Sequence, residues 1–421
     1  MFKKILSNKK YFYVLTLFSL LIVYLTLLTI NPNGLQKELF FLNCKCFMGD
    51  FFEVLQATSS DNPYFYKIGG SYLPFSYVVL MPFTKIVNYT NTNLQMCWSN
   101  PHALMSALFF SFSSGIVFII SLFCLCKEKK YSYLLILLPL ISGTFWRTLE
   151  RGNLILLTVS FVNIFLAYYN NKSNILKTIA LCSLSIASVF KIFPCIFALL
   201  LFREKKWKEV IIYTILTIAL IIIPFFFLKN SLTCNFSQLL KNLNKYSAMF
   251  NNFSVPKIGI GYGVLHILSS IGCLIKTSVT IDDYAVFYSI AHFFNNLMKL
   301  IILICFCISL FTKNNYRSLL LLCMSVIFFP ISSETYCSLY FIPLIFQYLA
   351  EHENTKQFFF EDIAYILLLS PLQFRFFEFD NYQAINLGII ILLFTHLFKE
   401  LKEYNKNKTF ELLENDENIS K

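Results

Sequence analysis

YFYVLTLFSLLIVYLTLLTI, residues 11–30, runs for twenty residues without a charged side chain. A helix rises about 1.5 Å per residue, so a run of this length matches the roughly 30 Å hydrocarbon core of a bilayer. Lys9 and Lys10 precede it, and no small-residue cleavage site follows. The run therefore reads as a retained anchor rather than a cleaved signal peptide. The rest of the chain repeats the pattern. It is 57% hydrophobic and 14% charged, with 48 Phe and 24 Tyr in 421 residues, whereas soluble domains carry about 25% charged residues. The runs are too long for the alternating strands of a membrane β-barrel. The class is an all-α polytopic membrane protein.

The net charge of +12 reflects topology, not nucleic-acid binding. Twenty-one of the 35 Lys and Arg fall into segments that can share one side, among them Lys127, Lys129, Lys130, Lys205, Lys206 and the tail. Basic residues concentrate on the cytoplasmic side of membrane proteins. Keeping these clusters inside gives twelve spans, at about 11–30, 102–126, 131–147, 153–169, 175–190, 192–203, 209–228, 285–312, 317–333, 337–350, 358–375 and 381–398. Both termini are then cytoplasmic, and the molecule is a multi-pass protein of the cell membrane. Residues 1–398 form the transmembrane domain and 399–421 a charged cytoplasmic tail. Two long outer loops remain, 31–101 and 229–284. The apolar stretch 74–87 contains Pro74 and Pro82 and would move Lys127–Lys130 outside if it crossed, so it reads as re-entrant or interfacial.

Most of the 13 cysteines lie in apolar runs, where Cys is a small hydrophobe. An outer disulfide among Cys44, Cys46, Cys97, Cys234 and Cys273 stays open. Gly259-x-Gly261-x-Gly263 lies in no βαβ pattern and is not a dinucleotide loop. No cofactor is implied, and the first outer loop lacks an Asp-x-Asp pair for a metal.

The polar residues of the outer side carry the chemistry. Asp50 follows the first span in Met48-Gly49-Asp50-Phe51, ahead of Asn62-Pro63-Tyr64 and Tyr72-Leu73-Pro74. Glu150-Arg151-Gly152-Asn153 falls at a turn between spans, Lys191 interrupts an apolar run before Pro194, and Asn251-Asn252-Phe253-Ser254 lies in the second loop. Pro330-Ile331-Ser332-Ser333-Glu334-Thr335-Tyr336 ends a later span. His292, Asn295 or Asn296, and Lys299 share a helix face, and ionisable residues inside a span are functional by default. Singly, Glu150 with Arg151 reads equally as an interfacial ion pair, and Lys191 as a snorkelling cation. Together they place two acids, two cations and amides on one face.

In that order and spacing, these motifs resemble the GT-C membrane glycosyltransferases. Glycosyltransferase family 87, the polyprenyl-phosphate-mannose-dependent mannosyltransferases, is the most similar. The motifs are Asp50 to Pro82, Glu150-Arg151-Gly152-Asn153, Ala187 to Pro194 with Arg203 to Trp207, Asn252-Phe253-Ser254, and Pro330-Ile331-Ser332. The resemblance implies a helical GT-C bundle with a cavity on the extracytoplasmic face. It implies a hexose, mannose by analogy, moving with inversion from a polyprenyl-phosphate-linked donor to a lipid-linked or glycan acceptor. Asp50 is then the general base. Arg151, Lys191 and His292 bind the donor phosphate, and Tyr72, Asn153, Asn252 and Glu334 line the acceptor or cavity side. Where the family has a Trp and a His pair, this chain has Ser333, Thr335 and Tyr336, so the phosphate role of that histidine passes to His292, His266 or Lys191. The rival readings are a polysaccharide polymerase or ligase of the O-antigen type, relying on outer arginines and a histidine, and a flippase or transporter. The chain shows no internal repeat of the kind transporters carry.

Overall fold

The computed structural model describes residues 8–30, 47–66, 70–250, 258, 260–275, 281–309, 315–330, 333–353, 359–371, 375–376, 379–380 and 382–399. Its described residues are mainly helical, and the strands among them form a two-stranded antiparallel ribbon, Arg375–Phe376 with Phe379–Asp380. Among the described residues, five segments are long and apolar enough to cross a membrane: Lys9–Thr26, Pro101–Lys129, Trp207–Phe227, Ala285–Ile304 and Tyr382–Lys399. Each coincides with one of the twelve expected spans.

The remaining expected spans are shorter or broken, for local reasons. Residues 131–147 divide at Ser142, whose extended backbone ends one short helix after Pro139 and whose Oγ accepts from the Phe145 amide to start the next. Residues 192–203 begin as a 3₁₀ turn around Pro194 and turn α-helical only at Leu199. Residues 337–350 are 3₁₀ until Ile342-Pro343, and among the described residues of 358–375 the helix is Phe360–Leu369. Pro favours the first turn of a helix and disfavours its interior, and hydropathy averaging does not see this. Helices Ile155–Tyr168, Asn174–Phe190 and Asn315–Phe328 overlap expected spans but are shorter than the five segments above.

Where they are described, the two segments read as long loops are largely helical. The first holds α2 (Gly49–Ser59), α3 (Pro74–Thr84) and α4 (Leu94–Ser99), after α1 (Lys9–Ile30). At eleven residues, α3 is about 16 Å long, half the hydrocarbon thickness. The second holds Leu232–Phe250 and Ile260–Ile275. Cys97 and Cys234 carry free thiols, which removes both from the disulfide considered above; the side chains of Cys44, Cys46 and Cys273 lie outside the described residues, as does the tail beyond Lys399.

Among the described residues the buried apolar side chains form three clusters, and the two larger ones organise the molecule. The larger joins α1 through Tyr13 and Leu17 to α5 (Pro101–Lys129) and to the helices between Ile155 and Leu201 and between Asn315 and Leu393. The smaller is aromatic and fastens the first-loop helices to the amino-terminal part of α5. Phe51 stacks on Phe110 with centroids 4.8 Å apart, and Phe52 and Tyr64 are fully buried. Such aromatic pairs contribute about 0.5–1.5 kcal/mol beyond area burial, and here they fix the position of α2. Asn100 caps α5, its side chain accepting from the His102 and Ala103 amides, with Pro101 in the first turn.

Candidate active site

The site starts from one glycine. The helix Gly143–Arg151, α7 in chain order after Tyr133–Ile136 (3₁₀) and α6 (Leu137–Ile141), stops at Gly152, whose φ of 64° is the left-handed conformation that glycine adopts freely. Beside this stop the Met48 amide donates to the Glu150 carbonyl at 2.7 Å, which docks the start of α2 on the end of α7. A Cβ at residue 152 would lie 2.8 Å from Phe51 Cβ and 3.1 Å from Met48 Sδ. Gly152→Ala therefore meets both backbone strain and a clash. It should lower the stability of the detergent-purified protein by about 1–3 kcal/mol and cost most of its activity, since α2 has to retreat. Native-like unfolding and turnover would show that the α2–α7 contact is not needed.

That docking brings Asp50 and Arg151 together. Arg151 Nη2 donates to Asp50 Oδ1, with the side chains 21% and 12% exposed. Asn153 Nδ2 donates to Asp50 Oδ2 at 2.6 Å and to Tyr336 Oη at 3.2 Å, while its Oδ1 accepts from the Ile155 amide at 2.9 Å. The last bond ties the Asn153 side chain to the first residue of α8 (Ile155–Tyr168) and fixes which end of the amide faces Asp50. Burial pulls the Arg151 guanidinium down, but the Asp50 carboxylate outweighs it and holds the pKa well above the ordinary value. Each Asp50 oxygen accepts one donor and retains a lone pair for another. Tyr336 is buried, and burial first, then Asp50 and Glu334, push its phenol far up. It stays neutral and keeps a proton to donate.

Glu334 accepts from Tyr382 Oη, and burial pushes its carboxyl up, against the pull of Tyr382 and Arg151. Arg147 pairs with Glu150 at 3.3 Å. Lys191 ends α9 (Asn174–Phe190), where its extended backbone turns the chain into Phe193-Pro194. Its ammonium donates to Tyr72 Oη at 3.1 Å and sits 4.5 Å from the centre of that ring. No carboxylate pairs with it among the described residues. Tyr72 is itself held: its carbonyl accepts from Tyr64 Oη at 3.2 Å and its amide donates to Tyr77 Oη at 3.2 Å.

Of the residues singled out in the sequence, Asp50, Arg151 and Asn153 thus meet directly. Glu334 belongs to the same electrostatic cluster, and Lys191 with Tyr72 forms a second pair. The guanidinium expected to bind phosphate is engaged by Asp50, whereas Lys191 pairs with no carboxylate among the described residues. His292 lies on the helix Ile281–Ser309 and is not among the partners of Asp50. Asn252 and the side chain of His266 lie outside the described residues. Tyr336 is the site residue the sequence reading left without a role; its only signal was its place where the resembled family carries histidine. Among the described residues, no three His, Cys, Asp or Glu side chains group as a metal site.

A carboxylate with free lone pairs, a neutral phenol and an ammonium paired with no carboxylate among the described residues are carried by the apolar helices of a membrane protein, an arrangement suited to proton transfer at a polar substrate. The chain belongs to glycosyltransferase family 87, whose profile matches residues 71–331. No curated protein and no solved structure matches it. The chain is therefore a glycosyltransferase, which sets the flippase reading aside. Tyr72, Arg151, Asn153, Lys191, Asn252 and His292 fall inside the matched region; Asp50 lies before it and Glu334 just after.

Proposed function

We propose that this enzyme is a GT-C type transferase of about twelve membrane spans, formed by residues 1–398 with the charged tail 399–421 behind them. It moves a hexose, mannose by the family resemblance, from a polyprenyl-phosphate-sugar to a lipid-linked or glycan acceptor on the extracytoplasmic face. Asp50 accepts the proton of the acceptor hydroxyl. The freed oxygen attacks the anomeric carbon as the carbon–oxygen bond to phosphate breaks, with inversion, and polyprenyl phosphate departs. Base catalysis of this kind contributes roughly 10²–10⁴-fold. Lys191 neutralises charge growing on the leaving phosphate. Arg151 and Asn153 orient Asp50, Tyr336 donates to a substrate oxygen, and Glu334 lines the cavity.

The observation that supports this reading is the convergence of Arg151 and Asn153, from the matched region, on Asp50 from outside it. A carboxylate anchored from both sides is pre-positioned for proton abstraction. A lipid-linked donor also agrees with a chain whose glycine motif sits in no βαβ fold. Purified enzyme should transfer sugar from polyprenyl-phosphate-sugar and not from nucleotide-sugar, as measured by radiolabel in the lipid or glycan fraction. Transfer from nucleotide-sugar with no polyprenyl phosphate present would remove the reading.

A further inference from the structure

The Lys191 ammonium hangs on a flexible four-carbon stem, so its position depends on what holds it. One of its three N–H groups goes to Tyr72 Oη at 3.1 Å, and the ammonium lies 4.5 Å from the centre of the same ring. Tyr72 precedes α3 and belongs to no helix of its own. Its peptide groups are fixed instead by two other phenols. Tyr64 Oη donates to the Tyr72 carbonyl, and the Tyr72 amide donates to Tyr77 Oη, each at 3.2 Å. Tyr64 and Tyr77 are buried and meet edge to face, with ring centroids 5.7 Å apart. Gly70 sits against them: its amide donates to the Pro63 carbonyl at 3.1 Å, and a Cβ there would overlap Tyr77 Oη.

A segment far along the chain clamps this arrangement. The helix Leu232–Phe250, read in the sequence as part of a loop, carries Asn235 and Asn242 about two turns apart and so on one face. Both are buried. Asn242 Nδ2 donates to the Tyr64 carbonyl at 2.9 Å and to the Gly70 carbonyl at 3.0 Å. Asn62 Oδ1 accepts from the Tyr64 amide at 3.0 Å, while its Nδ2 donates to Asn235 Oδ1 at 2.7 Å and to the Lys229 carbonyl at 2.6 Å. Hydrogen bonds thus run without a break from Asn242 through Tyr64 and Tyr72 to the Lys191 ammonium.

Ordering a lysine stem only when an anion arrives weakens affinity by up to about thirtyfold, and a stem already ordered in the free enzyme avoids that loss. Resting on the reading of Lys191 as the phosphate cation, we propose that Tyr72 is its positioning residue and that Asn235 and Asn242 hold Tyr72 in place. The two segments read as loops then set the phosphate site jointly.

The test uses full-length enzyme in detergent and equilibrium binding of radiolabelled polyprenyl monophosphate, with thermal unfolding recorded for every variant. Tyr72→Phe keeps the ring against the ammonium and removes the oxygen that accepts from it. It should raise Kd about tenfold without shifting the unfolding midpoint. Lys191→Gln should weaken binding at least as much, its residual affinity coming from the apolar polyprenyl chain. The deciding readout is the double-mutant cycle: added to Lys191→Gln, Tyr72→Phe should change Kd by less than about twofold, because Tyr72 acts through the ammonium. Asn242→Ala should raise Kd in the native background and lose that effect in Lys191→Gln. If it fails to fold, Asn242→Asp, which keeps the shape and has no N–H to donate, is read the same way. Lys241→Gln, an exposed cation beside Asn242, should leave Kd within about twofold, given that surface charges contribute little. Native-like affinity in Tyr72→Phe with a loss in Lys191→Gln overturns the role of Tyr72 and leaves the phosphate reading standing. Equal losses from Tyr72→Phe in both backgrounds overturn that role too, since the tyrosine then acts without the ammonium. An effect of Asn242 that persists in Lys191→Gln, or an equal loss in Lys241→Gln, overturns the role of the helix. Native-like affinity in Lys191→Gln overturns the phosphate reading itself.

Discussion

Asp50→Asn should turn over at least about a hundredfold more slowly than the native enzyme, while it expresses, folds and binds polyprenyl monophosphate nearly as well. Asn keeps the shape of the side chain and its acceptor oxygen, so Arg151 or Asn153 still finds a partner, but it does not take a proton from an acceptor hydroxyl. The position of α2 does not rest on the carboxylate. Phe51 and Phe52 bury it, and the Met48 amide bonds to the Glu150 carbonyl. A folding defect is therefore a small part of the expected loss. Two acids of the same segment serve as controls. Glu53 is exposed on the next turn of α2, and Asp61 pairs with Lys229 at 2.8 Å with its side chain 86% exposed. Glu53→Gln and Asp61→Asn should stay within a few-fold of native turnover. Turnover near native for Asp50→Asn, or an equal loss in the controls, sinks the assignment. A polymerase or ligase relying on outer arginines would instead lose activity with Arg151→Lys and tolerate Asp50→Asn.

The sequence makes the membrane-spanning helices legible where hydrophobicity alone decides them. Residues 11–30 and 102–126 need only the rule that an uncharged run of sufficient length is helical in lipid. Legibility ends where a cap or a proline overrides hydropathy, as at Ser142, Pro194 and Pro343. Asp50, Arg151 and Asn153 stand out in the sequence as polar residues on one face, but 101 residues separate Asp50 from Arg151, and nothing in the intervening pattern specifies a contact. The contact depends on Gly152, whose positive φ a sequence shows only as one more glycine. Tyr336 carries little signal in a chain with 24 tyrosines.

Lys9 shows the same limit at larger cost. Counted in the sequence as one of many basic residues marking the inner side, it is buried and paired to Asp362, 353 residues away, at 2.8 Å. Asp362 Oδ1 also accepts from Tyr13 at 2.9 Å and Tyr348 at 3.0 Å, and Oδ2 accepts from the Phe359 amide at 2.7 Å. The Lys9 ammonium lies 4.5 Å from the centre of the Phe359 ring. Every lone-pair direction of the carboxylate is thus engaged, which is the condition under which a buried ion pair is tolerated. The pair ties α1 to the helix Phe360–Leu369 and to Tyr348 on Ile342–Glu351. Removing one partner strands a charge away from water and should cost about 3–5 kcal/mol. Asp362→Leu and Lys9→Met should each lower the unfolding midpoint sharply in detergent. The double variant Lys9→Met/Asp362→Leu leaves no stranded charge, and replacing a buried pair by apolar groups of similar size is often neutral or stabilising. It should recover most of the loss and retain glycosyl transfer, because neither residue touches the Asp50 cluster. The coupling between the two sites, read from the double-mutant cycle, is the deciding quantity. Additive losses would mean that the two charges are solvated independently and that α1 is held by its apolar face alone.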